Sequence, residues 1–165
     1  MTKFNITKCH GSGNDFILID ERRLPTLLTQ LQRTALAVQL CDRNSIIGAD
    51  SFLFVQNSAK GDGTMRYFNA DGSEANMSGN GMRCVARYLS DDLKKENLIL
   101  ETHGGVYAVQ RVRDFFPGVE AFSIKIDTVD FAVQSLPLRV ETETWIDKSL
   151  SFLSETLRFT ALSVP

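Results

Sequence analysis

The stretch Phe68–Cys84, FNADGSEANMSGNGMRC, constrains this chain more than any other. It reads as the end of a strand, a tight Asp71-Gly72 turn and a glycine-broken loop that feeds directly into a helix. Met82, Val85, Ala86 and Leu89 recur at i, i+3, i+4 and i+7, an apolar stripe that predicts a helix buried along one side. Gly79 and Gly81 leave its first turn almost bare, so unpaired backbone N–H groups face outward there. Free donors and the positive end of the helix dipole converge on that spot, which suits an anion. Ser78 and Asn80 add a hydroxyl and an amide. No Lys follows the glycines and no Gly-x-Gly-x-x-Gly run follows a strand, so a small carboxylate fits better than a phosphate. The competing reading is structural: Ser78 caps a helix and the glycines shape a turn.

The segment closely resembles the signature of the diaminopimelate epimerase family, Asn-x-Asp-Gly-Ser-Glu followed a few residues later by Cys-Gly-Asn-Gly-x-Arg-Cys. A second block of that family, His-Gly-x-Gly-Asn-Asp-Phe, is matched by His10–Phe16. One residue departs: the family's first catalytic cysteine is Ser78 here. The resemblance implies a PLP-independent isomerase, without cofactor, that interconverts L,L- and meso-diaminopimelate in lysine and peptidoglycan precursor synthesis. In that family two cysteines flank the Cα carbon, one taking a proton as thiolate while the other delivers one as thiol. Two similar α/β units supply them, each with a helix N-terminus on the substrate carboxylate. The resemblance therefore puts Ser78 at the catalytic position. It implies substrate contacts at Asn14, Asn69, Gly79 and Asn80, and at Ser51, which follows Gly48-Ala49-Asp50, a match to the family's Gly-x-Asp element.

A thiol, with a pKa of about 8.5, is tuned to neutrality far more easily than a serine hydroxyl. No base for Ser78 is evident in the sequence, and the second unit, with the other cysteine, a Glu-Arg pair and an Asn-Pro-His segment, is not among the 165 residues. The expectation is a fragment of a longer enzyme, inactive by itself. Two alternatives stand beside it: a related racemase, epimerase or dehydratase of another amino or imino acid, and a silent carboxylate-binding module of the same fold.

Composition narrows the partners. Lys and Arg number 18 against 20 Asp and Glu, with no basic patch interleaved with aromatics, which argues against nucleic acid. No segment is long and apolar enough to span a bilayer, and the first eight residues alternate instead of forming a signal-peptide block, so a cytoplasmic location is expected. Cys9, Cys41 and Cys84 are odd in number and far apart, which suits reduced thiols. With two histidines and no Cys-x-x-Cys, no metal site is expected, and His10 is read as structural. The expected partner is a small amino-acid substrate, and a homodimer is compatible with the resemblance.

Read in order, the chain predicts a strand from Thr2 to Lys8 and a buried one over Phe16–Asp20. A helix follows from Pro25 with a Leu27, Leu28, Leu31, Ala35, Val38 stripe, then a core strand over Ser51–Val55. Further strands are expected over 64–68, 98–102, 106–113 and 121–127, with a polar turn region near 147–155. The fold expected is α/β (α+β), a curved, mainly antiparallel sheet wrapped around the central helix, one half of a pseudo-symmetric two-domain epimerase fold. Residues 1–130 would form the first domain and 131–165 the start of a truncated second.

Overall fold

The computed structural model describes residues 3–126 and 129–164. Thr2, Asp127, Thr128 and Pro165, which fall in or beside expected strands, lie outside the described residues. The chain divides into two compact units, Met1–Lys125 and Ile126–Pro165.

The first unit opens with a hairpin, β1 (Thr7–Gly11) and β2 (Asn14–Asp20), joined by Ser12 and Gly13. Both turn residues have positive φ, +53° and +85°, as a type I′ hairpin turn requires. Helix α1 (Gln30–Cys41) then crosses over to β3 (Ser51–Gln56), which runs parallel to β2. Strand β4 (Gly63–Asn69) returns antiparallel, and the short β5 (Glu74–Ala75) pairs with it before helix α2 (Gly79–Leu93). Strands β6 (Asn97–Thr102), β7 (Gly105–Phe116) and β8 (Val119–Ile124) follow as an antiparallel meander, with β6 parallel to β4.

The sheet runs β1-β2-β3-β4-β6-β7-β8, and α2 touches both of its edge strands, β1 and β8, as well as those between. Seven flat strands would span about 29 Å, against a helix roughly 10–12 Å across. Contact with both edges therefore requires the sheet to curl around α2. Met82, Val85, Ala86 and Leu89 are completely buried, in a core with Phe16, Leu18, Leu53, Val55, Met65 and Leu100. The alternate residues of the same strands, Ile17, Ile19, Phe52, Phe54 and Phe68, pack on the other face with Ala37 and Cys41 of α1. Strands β2 and β3 are thus covered on both faces, which is why they read as continuous apolar runs.

Three expectations are corrected. Residues 3–6 are not strand; β1 begins at Thr7. Helix α1 starts at Gln30, not Pro25, because Thr29 and Gln32 form a capping box there. Its inward face is Arg33, Ala37 and Cys41, while Leu31 and Val38 are 78% and 47% exposed. Arg33 turns inward because Glu21, itself buried, accepts from it at two oxygens, at 2.7 and 2.8 Å.

In the second unit, β9 (Lys148–Phe152) and β10 (Glu155–Phe159) form an antiparallel hairpin, so the polar 147–155 region is mostly strand. Isolated bridges join Asp130 to Ser163 and Ala132 to Thr144.

Candidate active site

Sheet register gathers the expected site residues at one end of the sheet. Asn14 is the Cα partner of Gly11; two residues on, Phe16 pairs with Ser51, and Ser51 pairs with Asn69. Asn14 and Asn69 are thus separated by two strand spacings and two residues, about 12 Å on sheet geometry. Alternation fixes their side: Asn14 keeps step with Phe16 and Leu18, Ser51 with Leu53 and Val55, and Asn69 with Met65 and Tyr67, all on the α2 face. The start of α2 lies at the same end, because a Cβ on Gly11 would sit 3.0 Å from the carbonyl oxygen of Asn80. A Cβ on Gly81 would likewise sit 3.0 Å from Leu53 Cδ2.

Ser78 is the N-cap of α2, in extended conformation (φ −143°, ψ 116°), and its Oγ accepts from the N–H of Gly81 at 3.1 Å. Its carbonyl accepts from Met82 N–H at 2.8 Å. The N–H groups of Gly79 and Asn80, the first two residues of the helix, have no carbonyl one turn back within the helix. A Cβ on Gly79 would meet nothing within 4 Å beyond its chain neighbours and its own helix, so the space beside the first helical residue is open. Among the described residues, no carboxylate, imidazole or amine hydrogen-bonds to Ser78 Oγ. The Asn80 side chain turns along the helix, where its Oδ1 accepts from Arg83 at 2.7 Å.

Neighbouring side chains hold the flanking groups. Asn14 Nδ2 donates to Asp50 Oδ2 at 2.9 Å, and Asp15 N–H donates to the same oxygen at 3.0 Å. Arg43 joins the two carboxylates through Asp15 Oδ1 at 2.6 Å and Asp50 Oδ1 at 2.8 Å, and Lys8 reaches Asp15 Oδ2 at 2.7 Å. The Arg43 and Lys8 cations hold the Asp15 carboxyl far below the usual range, and the bond from Asn14 leads in lowering Asp50. Asn69 Nδ2 donates to Ser73 Oγ at 2.9 Å, and that hydroxyl donates to Asp71 at 2.6 Å. Ser51 is 3% exposed and its hydroxyl pairs with the Tyr67 hydroxyl at 2.9 Å, so it is buried as half of a Ser–Tyr pair.

The family model for diaminopimelate epimerase matches residues 6–119. The diaminopimelate epimerase of Clostridium acetobutylicum is 45% identical over 99% of this chain and 49% of its own length. The chain belongs to the diaminopimelate epimerase family. The corresponding enzyme of Ligilactobacillus salivarius is 42% identical over 96% of this chain and 50% of its own length, so the chain spans about half the length of these curated relatives. A hydroxyproline epimerase from Agrobacterium vitis, solved with bound trans-4-hydroxy-L-proline, shares the fold at a TM-score of 0.62, with 14% identity over 96% of this chain and 48% of that chain.

Within this member of the diaminopimelate epimerase family, sequence reasoning missed Arg43 and Tyr67, and gave no role to Asp50, Asp71 and Ser73 although its motifs contained them. Alternation along β4 was the available signal for Tyr67, two residues before Asn69 on the same face. Of the charged clasp, Asp15 and Asp50 lay inside quoted motifs, while nothing in the sequence pointed to their contact with Arg43. Cys9 lies beside Cys84: a hydrogen bond from Cys84 leads in lowering its thiol, while that bond and burial push Cys84 up. His10 lines an open hollow of about 460 Å³ with Lys8, Cys9, Gly13, Asp15 and Arg43. No helix among the described residues is long and apolar enough to cross a membrane, and no cluster of three or more metal-ligating side chains occurs among them.

Proposed function

We propose that this chain supplies one half of a diaminopimelate epimerase, a cytoplasmic, PLP-independent enzyme of lysine and peptidoglycan precursor synthesis. Its role is to hold the substrate's carboxylate at the open start of α2, between Asn14 and Asn69. Residues 131–165 then belong to the beginning of the second α/β unit. The observation that carries this reading is the bare first turn of α2, with two unpaired donors and open space in front of Gly79, framed on the same sheet face by two asparagines. A carboxylate bound there puts its Cα beside Ser78. The family uses a thiol at that position. Ser78 keeps its hydrogen bond to Gly81 but has no accessible anion, so the substrate binds while this face moves no proton.

The test uses a two-unit protein of the relatives' length. Ser78→Cys raises deuterium incorporation at Cα of L,L- and meso-diaminopimelate by about 10²–10⁴-fold, the ordinary contribution of a general acid–base group. Equal rates in the two proteins would remove Ser78 from the catalytic position. Gly79→Val, whose side chain enters the open space, abolishes meso-diaminopimelate binding by calorimetry with little change in melting temperature. A catalytically silent carboxylate-binding module is the second reading, favoured by the absence of a base beside Ser78 among the described residues. It predicts binding, but no Cα exchange, in both serine and cysteine forms.

A further inference from the structure

The two asparagines of the site share an arrangement that the proposed epimerase role does not require by itself. A primary amide fits most pockets in either orientation, since its oxygen and nitrogen are nearly the same size. Here neither amide is free to turn. Asn14 Nδ2 lies 2.9 Å from Asp50 Oδ2. An ionised carboxylate only accepts, so a flipped Asn14 would set its own oxygen against it. Asn69 is held at one remove. Ser73 Oγ, 2.6 Å from Asp71 Oδ1, must give its proton to that carboxylate. Only lone pairs are left on the hydroxyl to face Asn69, 2.9 Å away, and they demand an N–H.

The anchors are themselves fixed. Asp50 N–H donates to Asp15 at its backbone oxygen (3.1 Å) and its Oδ1 (3.0 Å), Asp15 N–H donates back to Asp50 Oδ2 (3.0 Å), and Arg43 bridges both carboxylates. Gly48, at φ +77°, lets the chain pass Arg43 so closely that a Cβ would lie 2.8 Å from Arg43 Cα. On the other side, Asp71 accepts from Ser73 N–H at 2.9 Å as well as from its hydroxyl.

We infer that Asp50 and Asp71 are positioning residues that set the polarity of Asn14 and Asn69, so that each amide turns its carbonyl oxygen and its second hydrogen toward the ligand. This rests on the proposed binding site at α2. The site then has two unlike walls, backbone donors at the helix start and two polarity-locked amides across from it. A ligand with an anionic end and a nearby donor, as an amino acid has, matches both.

The experiment reads the side-chain amide ¹⁵N–¹H signals of Asn14 and Asn69 in the ligand-free chain. One hydrogen of each exchanges slowly with solvent in the unmodified protein. Asp50→Ala removes that protection from Asn14 alone and Asp71→Ala from Asn69 alone, while Asp50→Asn, which keeps an acceptor, restores most of the Asn14 signal. Unchanged protection in folded Asp50→Ala and Asp71→Ala proteins would overturn the inference. Because Asp71 sits in an exposed turn, its variant tests the idea even where Asp50→Ala fails to fold. In calorimetric titration with meso-diaminopimelate, Asp50→Ala weakens binding about tenfold, as loss of one well-placed hydrogen bond does. Added to Asn14→Ala it costs nothing more; additive losses would mean that Asp50 acts on the fold and not through Asn14. If the unmodified two-unit protein of the relatives' length binds no diaminopimelate, the proposed function fails, and the amide signals of the chain still decide whether Asp50 and Asp71 lock the asparagines.

Discussion

The two helices of the first unit begin and pack in opposite ways. Helix α1 starts with a closed capping box: Thr29 Oγ1 accepts from Gln32 N–H at 3.3 Å, and Gln32 Oε1 accepts from Thr29 N–H at 2.8 Å. Helix α2 has only the Ser78 hydroxyl at its start, its first two N–H groups have no helical carbonyl to bond, and the space beside Gly79 is open. The bodies differ as well. Helix α2 is enclosed by the curled sheet and buries an uninterrupted apolar stripe, whereas α1 lies on one outer face and is fastened there by an ion pair. A helix that only supports the fold spends its polar groups within the structure. The helix that carries the site keeps its donors for a ligand and draws its stability from its sides.

The largest effect that separates the two is expected at Arg33. Arg33 is 5% exposed and its partner Glu21 1%. Arg33→Ala leaves that carboxylate buried with Gln56 as its remaining side-chain partner, at 2.7 Å. Breaking a buried pair from one side costs about 3–5 kcal/mol. Urea denaturation measures it, and a loss below about 1 kcal/mol would mean that α1 is held by its apolar contacts instead.

Next in size is the apolar contrast. Leu89 is completely buried in the core around α2, while Leu31 of α1 is 78% exposed. Leu89→Ala should cost about 2–5 kcal/mol, and Leu31→Ala less than about 0.5 kcal/mol. Similar losses in the two variants would show that α1 buries Leu31 against something in solution and would erase the distinction between the helices.

This contrast also explains what the sequence made legible. The α2 stripe and the glycine-rich start were readable because a helix wrapped on most sides needs a wide, unmixed apolar face. The α1 face was misread because its inward set includes an arginine, which periodicity assigns to solvent; the pairing with Glu21 depends on tertiary contact. Asn14, Ser51 and Asn69 were nameable from motifs, yet their meeting on one sheet face depends on the parallel β2–β3 register across the α1 crossover. Asp15 and Asp50 lie inside the motifs, but their clasp through Arg43 is a tertiary contact, which no local pattern announces.

The smallest effect concerns the two caps, and it bears most directly on why the helices differ. Thr29→Ala and Ser78→Ala each remove a side-chain acceptor from a helix start, a loss of typically about 1 kcal/mol in the absence of ligand. At Thr29 nothing more is expected, because the freed Gln32 N–H faces solvent in an exposed turn. At Ser78 the change frees the N–H of Gly81 beside those of Gly79 and Asn80. Three unpaired donors then surround the open space instead of two, and a bound carboxylate compensates part of the loss. Ser78→Ala should therefore lower the melting temperature of the ligand-free chain as Thr29→Ala does, but by less once meso-diaminopimelate is present. Thermal unfolding of both variants with and without meso-diaminopimelate measures this difference. If the ligand narrows the gap equally for the two caps, the start of α2 is a structural end like that of α1, and the open first turn has another cause.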